Sequence, residues 1–98
     1  MNACVELVPT RRAALRVGVR TIVRLRVVAQ NGQAMAGVRV IARGPGIRTG
    51  ARTNANGVVT LSVRPRSAGV VRFSVPGSTR CVLRMGIAAR FRPPILTG

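Results

Sequence analysis

The 98-residue chain carries 17 arginines and no lysine against a single acid, Glu6, and no histidine, for a formal net charge of +16. Paired-carboxylate catalysis needs two acids, Ser-His-Asp and Cys-His sites need histidine, and metal sites need more ligands than these residues supply. No enzyme, cofactor or small-molecule substrate is therefore expected. The 47% hydrophobic content is enough to fold one domain and too broken by arginine to span a bilayer.

The periodicity is that of β-strands. Val5 with Leu7 or Val8 opens a first strand, and Ala14-Leu15 gives a second piece after Pro9. Arg11 to Val17 is the only stretch compatible with a helix, and Gly18 ends it. From Arg20 to Gln30, Val23, Leu25, Val27 and Ala29 alternate with Arg24, Arg26 and Val28, the period of a half-buried strand. Asn31-Gly32 signals a turn. Val38, Val40 and Ala42 then alternate with Arg39, Ile41 and Arg43 until Gly44-Pro45-Gly46, and Thr49 to Thr53 forms a short edge strand. Beyond the turn at Asn54-Ala55-Asn56-Gly57, Val59, Leu61 and Val63 alternate with Thr60, Ser62 and Arg64. Val71, Phe73 and Val75 alternate with Arg72 and Ser74, and Cys81, Leu83 and Met85 make the last set, opposite Val82 and Arg84.

Six to seven short strands separated by turn signals predict an all-β antiparallel sandwich over residues 1–90, with an extended Pro-rich arm over 91–98. The expected core is Val23, Leu25, Val27, Val38, Val40, Val59, Leu61, Val63, Val71, Phe73, Val75, Leu83 and Met85. In the arm, Phe91, Pro93, Pro94, Ile95 and Leu96 offer apolar surface for docking onto a neighbouring domain or subunit.

Cys4 and Cys81 form no C-x-x-C motif. They are either free thiols of a cytoplasmic protein or one disulfide of an exported one. No basic and apolar leader follows Met1, so export implies that this segment belongs to a longer chain.

The segment from Val17 to Gly69 resembles bacterial immunoglobulin-like domains of the invasin/intimin and carboxypeptidase-regulatory-like groups. The likeness is carried by Val17-Gly18-Val19-Arg20-Thr21, Val23-Arg24-Leu25-Arg26-Val27, Asn31-Gly32 with Ala36-Gly37-Val38-Arg39-Val40, and Thr53-Asn54-Ala55-Asn56-Gly57-Val58-Val59. The Arg-heavy composition and the Phe91-Arg92-Pro93-Pro94 ending also look like modules at the C-terminus of secreted actinobacterial proteins. The resemblance implies a non-catalytic spacer, adhesion or assembly module of an exported or cell-surface protein, with other domains or copies of itself as partners. It also implies that the first and last strands lie parallel on one side, which brings Cys4 and Cys81 close enough for a structural disulfide. Without lysine no Lys–Asn amide cross-link can form, so cystine is the one internal staple available.

The arginines carry the alternative. On the alternation above, Arg20, Arg24, Arg26 and Arg64 point outward from one sheet, and Arg39, Arg43, Arg72, Arg80 and Arg84 from the other. Such residues would bind polyanions, nucleic acid or anionic glycan, weakly and with strong salt dependence. Charge on both faces, with only two aromatics to stack bases, makes a dedicated nucleic-acid surface the weaker expectation.

Overall fold

A computed structural model describes residues 4–11 and 13–89. The expected arm at 91–98, with its docking residues, lies outside the described residues, as does Arg12.

Eight strands follow in order: β1 (Cys4–Pro9), β2 (Leu15–Arg16), β3 (Thr21–Ala29), β4 (Arg39–Gly44), β5 (Ile47–Arg52), β6 (Val58–Val63), β7 (Gly69–Val75) and β8 (Ser78–Ala88). They form a three-stranded sheet, β1-β3-β6, and a five-stranded sheet, β2-β8-β7-β4-β5. The count exceeds the six to seven expected because of β2, two residues long and too short to show alternation. Where Arg11–Val17 admitted a helix, the chain instead makes β2, and no helix occurs among the described residues.

Alternation becomes layering because β-branched side chains on successive residues point to opposite faces. In β3, Val23, Leu25, Val27 and Ala29 are buried, while Ile22, Arg24 and Arg26 face solvent. Val59, Leu61 and Val63 of β6 face the same core, and Val40, Ala42, Val71 and Phe73 close it from the five-stranded sheet. Val38, Val75, Leu83 and Met85, expected in the core, are only half-buried and pack at its margin. On β8, Cys81 and Ile87 are buried while Leu83 and Met85 between them are half-buried. Leu7 of β1, Leu15 and Ile47 at strand starts and Ile87 near the end of β8 join the same core.

The crossings between sheets are held by local polar contacts. Buried Thr53 is the centre of one: its hydroxyl donates to the Met35 carbonyl at 2.6 Å and accepts the Val38 N–H at 2.9 Å. The Asn54 side-chain oxygen then accepts the N–H groups of Asn56 and Val58 at 2.9 and 3.1 Å, forming an Asx turn into β6. Gly57 has φ +74°, and a Cβ there would lie 2.5 Å from the Ala34 Cβ. Thr53, Asn54 and Gly57 therefore each have a defined task in one corner.

One expectation is corrected. The first and last strands do not share a sheet: β1 pairs antiparallel with β3, and it is β2 that runs parallel to β8, through Leu15↔Ile87 and Arg16↔Ala88. The parallel neighbour of the last strand is thus the short second element, reached after the chain changes sheets beyond Pro9.

Candidate functional site

Two features are built on this frame, a covalent staple and an arginine surface. The staple is the disulfide between Cys4 and Cys81, whose Cα atoms are 5.8 Å apart. Because β1 and β8 lie in different sheets, the bond crosses the sandwich and ties its two layers together. Both cysteines are buried, and Ser78 adds a second tie by donating its hydroxyl to the Cys4 carbonyl at 2.9 Å.

The arginine surface follows from strand alternation and from register. Alternation sends Arg39 and Arg43 of β4, Arg48 and Arg52 of β5, Arg72 of β7, and Arg80 and Arg84 of β8 to the exposed side of the five-stranded sheet. Register then aligns them. Arg48 is paired with Arg43, Arg43 with Arg72, and Arg72 with Arg84, so four arginines on four adjacent strands form one transverse row. At the usual strand separation the row spans roughly 14 Å. Arg39 and Arg52 make a further direct pair beside it.

Like charges placed directly opposite across a sheet are destabilising. The only acid in the chain, Glu6, is on β1 of the other sheet. Among the described residues, the side chains of Arg43, Arg48, Arg72 and Arg84 make no hydrogen bond or ion pair. Arg52, in contrast, donates to the Gly37 carbonyl at 3.1 Å, and Arg64 to that of Gly18 at 3.2 Å, so both also hold loops.

The row is bordered by shallow grooves. One of 420 Å³ runs from Ile41, Arg43 and Arg72 to the β7–β8 turn at Pro76–Gly77, and another of 280 Å³ lies between Arg39, Arg43 and Arg48. At the β5 edge the basic surface turns the corner: Arg48 shares a 230 Å³ groove with Arg20 and Arg64, which flank the strands of the three-stranded sheet.

All the arginines singled out from sequence are solvent-exposed, but they are not equivalent. Among the described residues, eight arginines lie within strands of the five-stranded sheet and two, Arg24 and Arg26, within the other. Arg24 pairs with Thr60, and Arg26 with Val58 and Val8, so no arginine pair forms there. The structure therefore joins Arg43, Arg72 and Arg84 with Arg20 and Arg64 through Arg48, and separates Arg24 and Arg26 from them. Sequence reasoning missed Arg48 and Arg52. The signal was present in the alternation of Ile47, Thr49 and Ala51 with Arg48, Gly50 and Arg52 immediately after Gly46.

No cluster of three or more His, Cys, Asp or Glu residues capable of holding a metal occurs among the described residues. Among them, no helix is long and apolar enough to cross a membrane.

No protein-family model and no curated protein matches this chain. Among solved structures, the D00-D0 domain of intimin is similar, with a TM-score of 0.50 and 19% identity. The match covers 87% of this chain and 44% of that one. At this identity the likeness is one of fold alone, an immunoglobulin-like β-sandwich.

Proposed function

We propose that the chain is a non-enzymatic structural or interaction module, a spacer, adhesion or assembly unit, of an exported or cell-surface protein. The observation that carries this reading is the disulfide across the sandwich. Cystine persists in oxidising compartments and is rare where thiols are kept reduced. A buried bond linking the two layers of an immunoglobulin-like body suits a module that must hold its shape outside the cell. Its partners are other protein domains or copies of itself, and the segment from Phe91 to Leu96 is proposed as the docking arm.

The test is the redox state and location of the protein in its native cells. Material trapped with a thiol-alkylating reagent should show both cysteines blocked to alkylation, migrate faster without reductant, and fractionate outside the cytoplasm. Free thiols in a cytoplasmic fraction would overturn the reading. A second reading, polyanion binding by the outward arginines, is favoured by one observation, the in-register row Arg48–Arg43–Arg72–Arg84 with no acid beside it.

A further inference from the structure

We infer that the five-stranded face is the binding surface for a linear sulfated polysaccharide, which lies along the row Arg84–Arg72–Arg43–Arg48 and turns toward Arg20 and Arg64 at the β5 edge. This rests on the polyanion reading and gives it a place and a ligand class.

The placement comes from register. Four guanidinium groups on adjacent strands, aligned by direct pairing, form a continuous line of forked donors without acceptors among the described residues. Sulfate oxygens match such forks bidentately, which a lysine row would not achieve. The shared groove of Arg20, Arg48 and Arg64 prolongs that line past the sheet edge, so the path suits a chain rather than a single ion. Each bound anionic group would also relieve the repulsion the row carries when free, which couples binding to stability.

The ligand class follows from what the face lacks. Single-stranded nucleic acid is held by stacking bases on aromatics, and Phe73, the one aromatic among the described residues, is fully buried. A duplex groove admits a helix or a two-stranded ribbon, whereas the row is spread over four strands of a sheet face. A polysaccharide with sulfates along its length needs neither stacking nor groove entry. It also occurs outside cells, the compartment the disulfide suits.

The experiment uses the full oxidised chain and calorimetric titration with heparin fragments of defined length. Comparators are single- and double-stranded DNA of matched charge, at two or more salt concentrations. Two variants have equal charge: Arg43→Thr/Arg72→Thr on the row and Arg24→Thr/Arg26→Thr on the opposite face. The row variant should lose at least roughly tenfold in affinity for heparin, and the log–log salt slope should fall by about 2. The opposite-face variant should stay within about twofold of wild type. The row variant should melt at or above wild type, because it loses like-charge neighbours and gains a β-branched residue, so a folding failure does not confound the result. Equal losses from both variants overturn the placement while leaving polyanion binding intact. Tighter binding of either DNA than of heparin overturns the ligand class. Absence of heparin binding by wild type at low salt sinks the polyanion reading itself.

Discussion

Replacing Thr53 by valine changes one hydroxyl to a methyl of nearly the same volume, so the substitution leaves the shape of the corner and removes its polar contacts. Two backbone groups lose their partner: the Met35 carbonyl, which accepts the hydroxyl at 2.6 Å, and the Val38 N–H, which donates to it at 2.9 Å. Stranding a buried polar group costs about 1–3 kcal/mol. Met35 and Val38 are half-buried, so the lower part of that range applies to each, and the pair together loses about 2–3 kcal/mol. For a domain of this size that corresponds to roughly 10–20 °C in Tm. Thr53→Ser keeps both hydrogen bonds and gives up one buried methyl, about 1 kcal/mol. The expected order of stability is therefore threonine, then serine, then valine. Burial alone predicts the reverse for the two variants, because valine is the more apolar. Urea unfolding of the three proteins decides the matter, and a valine variant as stable as wild type, or more stable than the serine variant, would refute the reasoning.

Removing the disulfide with Cys4→Ala/Cys81→Ala releases a loop of 77 residues' separation, which the chain-entropy relation values at about 4.5 kcal/mol. Scanning calorimetry should show Tm lower by about 20 °C, and a fall of less than about 5 °C would contradict that account. Gly57→Ala combines a left-handed backbone with a collision against Ala34 and should cost about 2–4 kcal/mol in denaturant unfolding. Gly32→Ala, with φ +83° and open space around it, should cost only about 1 kcal/mol, and equal costs would show that the collision relaxes freely. Finally, the melting temperature should rise as salt goes from about 0.01 to 0.15 M, because the Debye length shrinks from about 30 to 8 Å and the arginine row is screened. A flat or falling profile would mean that the repulsion is already relieved within the protein.

The sequence made the layering legible because alternation is local. Val23, Leu25 and Val27 bury and Arg24 and Arg26 do not for a reason contained within five residues. Register is not local. That Arg43 stands beside both Arg48 and Arg72 depends on the length of the β4–β5 turn and on how β4 docks against a strand nearly thirty residues later. Each arginine could thus be assigned an outward direction, but not its neighbours. The same limit explains the half-buried margin: Leu83 and Met85 alternate like core residues, and how far the facing layer covers them is set by tertiary packing that alternation does not encode. Leu15 and Ile47 were left out of the expected core for the opposite reason, since a two-residue strand and a strand start offer little pattern to read. The Cys4–Cys81 pairing was reachable from two cysteines and a resemblance; that it joins different sheets was not.

The staple also decides how the module behaves under load. A pull applied through residues outside the two cysteines enters at Cys4 and leaves at Cys81, whose Cα atoms are 5.8 Å apart, so the tension bypasses the chain between them. Without the bond, unravelling that 77-residue separation would lengthen the molecule by roughly 260 Å. With it, only the strand beyond Cys81 can be drawn out, and there Val82 to Ile87 pair with β7 on one side while Ile87 and Ala88 pair with β2 on the other. In a string of such units the body would act as a nearly inextensible link, transmitting tension through one covalent bond while the faces of both sheets keep their shape.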